Sequence, residues 1–527
     1  MAGSDPEVVI STGRIRGCRE NGVLVFRGIP FAKPPLSALR FQAPESPSPW
    51  DGVLDARAFG PPAPQPAGPG RAPSAGGHID AGRAEDWLTV NVWTPDITTS
   101  GLPVLVWIHG GAYLFGSSAE AVYDGHKFAM SGTVLVTCNY RLGVEGFAEI
   151  PGAPANRGLL DLVAVLRWVR ENAAGFGGDP ASVTVFGESA GAGAVAALLA
   201  MEDARGLFRR AIAQSVPGTF FTPELAADIT GAIAAQAGLP ATYDALAAAD
   251  PGVLAGASMA VTTRMKQFPR WGPVRLTDTP FSPVVDGTVL TRAPWRALLS
   301  GAARDVDLLT GHNRDEYRLF IVASGRLGKI TDQEAATVLD AFAPGPAGTA
   351  GYRGSYPEAG AGSLFELAFS DWLFRMPTLH LAQAHAASGG RTFLYELRAG
   401  APALDGVLGA CHALDVPLVF GPGRPGGPRD PGGPGITDLL LGDHPPAGLL
   451  ALGDLMRGEW VRFASCGDPG WPAYGTRERI TRIYDVPPDV GPYPEERSMR
   501  LWQRHQFGTL DLAAGPQADA AQADARR

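Results

Sequence analysis

A serine enclosed by two glycines is the first feature of this sequence whose pattern suits chemistry. The stretch VTVFGESAGAGA, residues 183–194, contains the motif G-x-S-x-G with Ser189 at its centre. In acyl-transfer enzymes, a serine in this motif lies on a sharp turn between a strand and a helix, where its hydroxyl can attack a carbonyl carbon. The same residue could instead cap a helix N-terminus, a position that serine favours. Residues elsewhere in the chain must decide between these two interpretations.

A second glycine-rich stretch offers hydrogen-bond donors. The sequence VLVWIHGGAYLFGSS places His109, Gly110, Gly111 and Ala112 directly after an apolar run, residues 104–108. Small residues at the exit of a strand leave backbone N–H groups accessible, and such groups can stabilise the oxyanion that forms when a serine attacks an ester. An ordinary glycine turn would have the same composition. The two stretches together therefore predict acyl transfer more strongly than either does alone.

The segments around these motifs alternate between strand and helix patterns. Apolar runs such as PVLVWIHGG, TVLVTCNY and SVTVF alternate with the helix-period segments LLDLVAVLRWVRENAAGF and AGAGAVAALLAM. This order predicts a protein of the α/β class, with a parallel sheet and crossover helices. Ser189 falls at a junction between a strand and a helix, where Gly187 and Gly191 permit close backbone approach. The runs DVDLLTG and RTFLYEL predict further strands of the same sheet.

Composition and charge exclude several classes of function. The chain has 527 residues, of which 45% are hydrophobic and 18% charged, so it is globular with a large core. Its net charge of −9 includes no sustained basic run, which argues against a nucleic-acid partner. The sequence shows neither a signal-peptide pattern nor an apolar stretch long enough for a membrane span. We therefore expect a cytoplasmic protein without a membrane partner.

Cysteine usage and loop composition bear on the organisation of the chain. The four cysteines are far apart and predict neither a disulfide framework nor a zinc site. No linker cleanly divides the chain, so we expect one domain over residues 1–509 and a disordered tail over residues 510–527. Segments rich in Pro, Gly or Ala are expected to lie on the surface: residues 61–77, 421–435 and 513–527.

Six motifs between about residue 8 and residue 501 carry a resemblance to a known family. They are FRGIPFAKPPLSALRF, AEDWLTVNVWTP, ENAAGFGGDPASVTVFGESAG, GHNRDEY, CHALDVPLVFG and WVRFASCGDPGWPAY. Together they resemble the type-B carboxylesterases, the branch of the α/β-hydrolases that includes bacterial para-nitrobenzyl esterases and the cholinesterases. The resemblance implies the α/β-hydrolase fold: a mostly parallel central sheet, helices on both faces, and large insertions over the active site, within roughly residues 220–300 and 320–390.

The resemblance also assigns a catalytic triad. It makes Ser189 the nucleophile, Glu316 in NRDEY the acid and His412 in CHALD the base. The chain order Ser, acid, His is the order expected of this fold. The residue types alone leave alternatives open: Asp315 or Asp415 for the acid, and His109 for the base.

The same resemblance completes the site around the triad. It makes the backbone N–H groups of Gly111, Ala112 and Ala190 the oxyanion donors. Gly110 supports the oxyanion loop, and Glu188, directly before the nucleophile, is expected to tune the electric field around the base. Neither a metal nor an organic cofactor is implied.

The implied function is that of a serine carboxylesterase acting on a small-molecule ester through an acyl-enzyme. Residues 63–86 contain no Phe, Tyr or Trp, which disfavours a choline site in that loop. Tyr113, Leu114 and Phe115 are expected to wall the pocket, so we expect uncharged esters with apolar or aromatic groups. Two alternatives stay open: a carbamate or amide hydrolase with the same triad, and a non-catalytic interaction module like the neuroligins. The sequence makes no prediction about the oligomeric state.

Overall fold

The computed structural model describes residues 5–66, 85–423 and 435–513. Two predicted surface segments therefore lie largely outside the described residues, from 67 to 77 and from 424 to 434. The part of the predicted tail from 514 to 527 lies outside them as well.

Fourteen strands in the described part of the chain form two sheets. In chain order they are β1 (Glu7–Ile10), β2 (Gly13–Arg16), β3 (Cys18–Glu20), β4 (Val23–Pro30), β5 (Val53–Asp55), β6 (Thr89–Thr94), β7 (Leu102–Ile108), β8 (Val134–Cys138), β9 (Gly178–Glu188), β10 (Arg210–Gln214), β11 (Asp307–Asn313), β12 (Thr392–Leu397), β13 (Ile480–Tyr484) and β14 (Asp489–Pro492).

The large central sheet has the strand order β14-β13-β12-β11-β10-β9-β7-β8-β6-β4-β3. Every neighbouring pair from β13 through β8 is parallel. The remaining pairs, at the two edges of the sheet, are antiparallel. The predicted mostly parallel sheet is confirmed, and its parallel centre carries the strand that leads to Ser189.

Helices surround the sheet. They are α1 (His126–Met130), α2 (Gly143–Phe147), α3 (Arg157–Asn172), α4 (Ala190–Ala200), α5 (Pro223–Gln236), α6 (Tyr243–Ala248), α7 (Pro251–Thr262), α8 (Pro294–Leu299), α9 (Arg318–Ala323), α10 (Asp332–Phe342), α11 (Gly348–Ser355), α12 (Ala361–Ser370), α13 (Met376–Ala387), α14 (Asp415–Phe420), α15 (Ile436–Leu441), α16 (Ala447–Cys466) and α17 (Glu496–Trp502). A π-helical turn, Asp371–Arg375, joins α12 to α13.

Both faces of the central sheet are buried, as the continuous apolar runs predict. In β7, Val104 and Val106 pack into one core with α3 and α4, whereas Leu105 and Trp107 pack into a second core with α14 and α16. Side chains alternate across a strand, so each core receives every second residue. The sheet is therefore covered by helices on both sides, as expected of the α/β-hydrolase fold.

Two long insertions leave the carboxyl end of the sheet. The chain between β10 and β11 forms α5–α8, and the chain between β11 and β12 forms α9–α13. Thr277 from the first insertion and Phe374 from the second line the large cavity that contains Ser189. The predicted insertions thus contribute to the walls of this cavity.

The predicted start of the tail needs a correction. The Leu510 N–H donates to the Phe220 carbonyl oxygen at 2.7 Å, and the Thr222 hydroxyl donates to Asp511 at 2.9 Å. Placing the start of the tail at residue 510 was therefore wrong for residues 510–513, which are tied to the segment before α5.

Candidate active site

Ser189 lies on a sharp turn between β9 and α4. Its backbone has φ 55° and ψ −124°, a conformation that an L-residue adopts only under strain. The flanking glycines make the turn possible. A Cβ on Gly187 would lie 2.7 Å from the Ile108 carbonyl oxygen, and one on Gly191 would overlap the same atom. The Ser189 side chain makes no capping hydrogen bond to α4, so the helix-cap interpretation was wrong.

His412 and Glu316 meet beyond the carboxyl ends of β11 and β12. The imidazole Nδ1 lies 2.6 Å from Glu316 Oε2, and both side chains are buried. The other carboxylate oxygen, Oε1, accepts hydrogen bonds from the Ser215 hydroxyl at 2.6 Å and from the Asn313 N–H at 2.8 Å. This carboxylate is therefore held in place and oriented toward the imidazole.

The two competing acids have other partners. Asp315 pairs with Arg314 at 2.8 Å. Asp415 accepts a hydrogen bond from the Gln214 side chain at 2.8 Å. Among the described residues, neither carboxylate makes a hydrogen bond to His412. The geometry therefore favours Glu316 as its partner.

The competing base, His109, is buried beneath the oxyanion loop. Its Nδ1 lies 2.8 Å from the Gly110 carbonyl oxygen, and its ring packs against Tyr140 with centroids 4.6 Å apart. Burial lowers the pKa of His109 to about 4, despite the hydrogen bond to Gly110, so the ring is neutral near pH 7. These contacts are those of a packing residue.

Glu188 lies on the far side of the His412 imidazole. Its Oε1 is 3.1 Å from Nε2. Burial on its own would lower the pKa of His412, but the carboxylates of Glu188 and Glu316 outweigh it and raise the pKa to about 9. Burial raises the pKa of Glu188, and the nearby imidazole opposes this rise. The sequence predicted an electrostatic role for Glu188, and the structure brings it into direct contact with the imidazole.

Ser189 and His412 line the same cavity. In the part of the chain that the structure describes, the Ser189 hydroxyl makes no hydrogen bond, to the imidazole or to any other group. Catalytic hydrogen bonds are often long or misaligned before substrate binds and tighten in the complex.

Three backbone N–H groups come from residues that line the cavity together with Ser189. They belong to Gly111, Ala112 and Ala190, and none of them donates to an acceptor among the described residues. The loop is strained, since Ala112 and Tyr113 have φ of 55° and 57°. Such left-handed conformations are costly for residues with a Cβ and cluster at functional sites.

Gly110 allows this loop to approach the nucleophile. A Cβ at that position would lie 2.9 Å from the Glu188 carbonyl oxygen and 3.1 Å from the Ser189 Cβ. Only a glycine fits there without moving the turn at Ser189. Gly110 therefore lies close against the turn that carries Ser189.

The cavity has a volume of about 520 Å³ and is lined mainly by apolar and aromatic side chains. Tyr113 and Phe115 line it, as expected, but Leu114 packs into the core instead. The acidic and imidazole side chains among the described lining residues are Glu120, Glu188, Asp278 and His412, and the described lining contains no Lys or Arg.

Several residues of this site were not predicted from the sequence. Ser215 holds the acid, and Leu373 and Phe374 form part of the cavity wall. Ser215 directly follows strand β10. A polar residue at the end of a strand could have been predicted to lie near the site. Leu373 and Phe374 belong to a helical insertion and carry no such signal.

A model of the carboxylesterase family matches residues 4–343, which is more than half of the chain. The chain belongs to the carboxylesterase family. This carboxylesterase is 35% identical to the para-nitrobenzyl esterase of Bacillus subtilis (strain 168) over 512 residues, covering 94% of this chain and 98% of that protein. It is 33% identical to a phenmedipham hydrolase of Pseudarthrobacter oxydans over 480 residues, 88% of this chain and 92% of that one.

Solved structures agree with this membership. The crystal structure of a Geobacillus stearothermophilus carboxylesterase superposes on this carboxylesterase with a TM-score of 0.80 at 34% identity, covering 94% of this chain and 100% of that chain. The α/β-hydrolase fold and the predicted type-B carboxylesterase resemblance are therefore confirmed. The protein is a serine carboxylesterase, a carboxylic ester hydrolase.

The described residues also bear on metals and membranes. They include no group of three His, Cys, Asp or Glu side chains placed to hold a metal ion. Among them, none of the helices combines the length and the apolar character needed to cross a bilayer.

Proposed function

We propose that Ser189, His412 and Glu316 are the catalytic triad of this carboxylesterase. The observation that carries the proposal is the contact between His412 Nδ1 and Glu316 Oε2, 2.6 Å long, at the wall of the cavity into which Ser189 projects from its strained turn. A buried carboxylate fixes the tautomer of an imidazole and stabilises its charged form. In this proposal the other imidazole nitrogen, Nε2, exchanges a proton with the serine.

In the proposed mechanism, His412 accepts the proton of Ser189 as the hydroxyl attacks the ester carbonyl. The imidazolium then gives this proton to the leaving alcohol, which leaves the acyl group bound to Ser189. Water attacks the acyl-enzyme by the reverse path, with His412 again as the base.

The N–H groups of Gly111, Ala112 and Ala190 are proposed to bind the oxyanion of each tetrahedral intermediate. Support comes from their lack of acceptors among the described residues and from their position beside Ser189. Losing one such donor typically costs about 2.7–4 kcal/mol of barrier, so the placement of these donors matters strongly for the rate.

The proposed substrates are uncharged esters with apolar or aromatic groups. Aromatic side chains such as Phe115, Phe320 and Phe374 favour such groups, and the cavity is large enough for a drug-sized molecule. The carboxylates of the lining disfavour an anionic substrate.

The test of this function is hydrolysis of p-nitrophenyl butyrate by the wild type and by Ser189→Ala. We expect the variant to lose activity by a factor of about 10⁴ or more while keeping its fold, because the nucleophile itself is removed. Ser258→Ala, which removes a buried hydroxyl from α7, is the matched control and should keep wild-type activity. Ester hydrolysis by Ser189→Ala at the wild-type rate would exclude the mechanism.

Carbamate or amide hydrolysis by the same triad is the second candidate. One relative is named a phenmedipham hydrolase, an enzyme of carbamate hydrolysis. The comparison to make is kcat/KM for an aryl carbamate and an anilide against p-nitrophenyl esters of increasing acyl length. Faster turnover of the carbamate than of every ester would make the carbamate the preferred substrate class.

We further propose that the chain as far as about residue 513 acts as one catalytic domain and that the enzyme works in the cytoplasm. The first proposal is supported by a continuous core that joins the first insertion, the second insertion and Phe507. The second is supported by four unpaired cysteines, two of them buried. Cell fractionation with an activity assay tests the location, and limited proteolysis tests the domain.

A further inference from the structure

A π-helical turn lies beside the proposed base. The residues Asp371–Arg375 join α12 to α13, and all five are buried. Single π turns inside α-helices are rare and are found frequently at functional sites. Leu373 and Phe374 of this turn line the active-site cavity. The turn therefore connects the second insertion to the catalytic centre.

Phe374 packs face to face against the imidazole of His412. The ring centroids are 4.2 Å apart and the planes differ by 27°. Phe320 lies nearby, with its centroid 5.4 Å from that of the imidazole. The face of an aromatic ring carries partial negative charge and attracts a cation. This contact thus favours the charged imidazole over the neutral one.

The π turn and the end of α12 hold the chain on both sides of the proposed acid. The Arg375 guanidinium donates from Nη1 to the Arg314 carbonyl oxygen at 3.2 Å. The Tyr317 N–H donates to the Ser370 hydroxyl at 3.0 Å. Glu316 lies between these two attachment points. The segment that carries Phe374 is therefore fixed to the segment that carries the acid.

The same turn is attached to the loop that follows β10. The Leu373 carbonyl accepts a hydrogen bond from the Gly218 N–H at 2.8 Å, so this carbonyl bonds outside its own helix. That loop begins at Ser215, whose hydroxyl donates to Glu316 at 2.6 Å. The acid, its hydroxyl partner and the ring against the base are all connected through the turn.

Buried charges fix the position of the turn. The Arg375 side chain is only 2% exposed and lies 3.1 Å from Asp371 and 2.9 Å from Glu495. The Asp371 carboxylate also accepts a hydrogen bond from Tyr352 at 2.7 Å. Movement of the turn would separate these buried charges, which is strongly unfavourable. These buried ion pairs therefore hold Phe374 in a fixed position.

We propose that Phe374 is a positioning residue for the acyl-transfer reaction, which holds the His412 imidazole in the orientation that serves Glu316 and Ser189 and favours the imidazolium formed during attack. The inference rests on the proposed role of His412 as the base. Other charged groups also act on this imidazole: Glu188 at the end of β9, Glu316 after β11 and Asp415 at the start of α14. The aromatic contact adds to their effect.

The test is the pH profile of kcat/KM for p-nitrophenyl acetate, a substrate too small to need the cavity wall. In Phe374→Leu we expect kcat/KM at its plateau to fall about tenfold, because the imidazole is less well oriented. The acid limb should move to lower pH by about half a pH unit to one pH unit, because the imidazolium loses the aromatic face. Phe374→Tyr should restore both properties.

Phe365→Leu is the matched control. It makes the same change to a buried phenylalanine of α12 and should leave the acid limb at the wild-type pH. If Phe374→Leu does not accumulate as folded protein, Phe374→Met gives the same comparison. An unmoved acid limb, with a loss of activity that varies with acyl length, would overturn the proposal and make Phe374 a wall residue. Ester hydrolysis by Ser189→Ala would instead show that the proposed mechanism itself had failed.

Discussion

The Oε1 atom of Glu188 lies 3.1 Å from Nε2 of His412, on the side of the imidazole that must receive the proton of Ser189. Because Glu316 faces the opposite nitrogen, the imidazole lies between two buried carboxylates. The pair favours the charged imidazole, which is the product of serine activation and not its starting state. The two carboxylates therefore stabilise the imidazolium in the transition state, but they also stabilise the protonated, inactive form of the base in the free enzyme.

This relationship predicts the pH dependence of Glu188→Gln. The base must be neutral to accept a proton, so kcat/KM rises with pH through the pKa of His412. Burial opposes the charged imidazole, but Glu188 and Glu316 together raise this pKa to about 9. Removing one carboxylate lowers the pKa, so the acid limb of the profile should move to lower pH by roughly one pH unit.

The measurement is kcat/KM between pH 5 and pH 10 with a neutral ester. Glu188→Asp keeps the negative charge and is the control, whose limb should stay closer to that of the wild type. A limb of Glu188→Gln that stayed in place or moved to higher pH would contradict the electrostatic role of Glu188.

Ser215→Ala should weaken catalysis through the acid. The Ser215 hydroxyl donates to Glu316 at 2.6 Å, and a hydrogen bond to a buried charge contributes about 1.5–3 kcal/mol. We expect kcat to fall by roughly tenfold or more while KM changes little, because Ser215 does not line the cavity. Steady-state kinetics beside Ser258→Ala, which also removes a buried hydroxyl, measures the effect. Equal kinetics in the two variants would show that this hydrogen bond is not needed.

Gly191→Ala should destabilise the protein and remove activity. A Cβ at this position would overlap the Ile108 carbonyl oxygen at the back of the nucleophile turn, and overpacking of this kind typically costs about 1–3 kcal/mol. Gly256→Ala in α7 is the control, because no atom lies within 4 Å of its added Cβ. It should be neutral or stabilising by up to about 1 kcal/mol. The apparent midpoint of thermal unfolding separates the two, and a Gly191→Ala protein as stable as the wild type would contradict the tight packing of the turn.

A negative charge on the acyl group should slow hydrolysis. The cavity lining presents the carboxylates of Glu188 and Asp278 and, among its described residues, no Lys or Arg. We expect kcat/KM for the p-nitrophenyl ester of glutaric acid to be at least about tenfold lower than for its methyl ester, because like charges repel in a partly desolvated site. The difference should shrink as ionic strength rises. Equal rates for the two esters would remove the preference for uncharged substrates.

Much of the fold follows from local sequence patterns. The run SVTVF ahead of the small-residue segment AGAGAVAALLAM specifies β9, the turn at Ser189 and α4, because strand and helix signals meet at one residue. The parallel sheet follows from continuous apolar strands alternating with helices. The acid and the base lie far from Ser189 in the sequence. Only the family motifs favoured Glu316 over its acidic neighbour Asp315.

Other parts of the site depend on tertiary structure that no local pattern specifies. The contact between Phe374 and His412 depends on a π turn, whose extra residue changes the helix face that each following side chain occupies. The sequence placed Leu114 in the cavity wall with its two neighbours, yet the loop turns through two left-handed residues and buries it in the core. In both cases, backbone geometry decides which side chains line the active-site cavity.

The central claim is that Ser189 is a nucleophile activated by His412, and covalent trapping tests it most directly. Treatment with a p-nitrophenyl phosphonate, followed by mass spectrometry of the peptide that contains VTVFGESAGAGA, should locate one adduct per chain on Ser189. The rate of labelling should fall by about 10⁴ in His412→Ala, because the hydroxyl then lacks its base. Stoichiometric inactivation with the adduct on another residue, or undiminished labelling of Ser189 in His412→Ala, would contradict the claim.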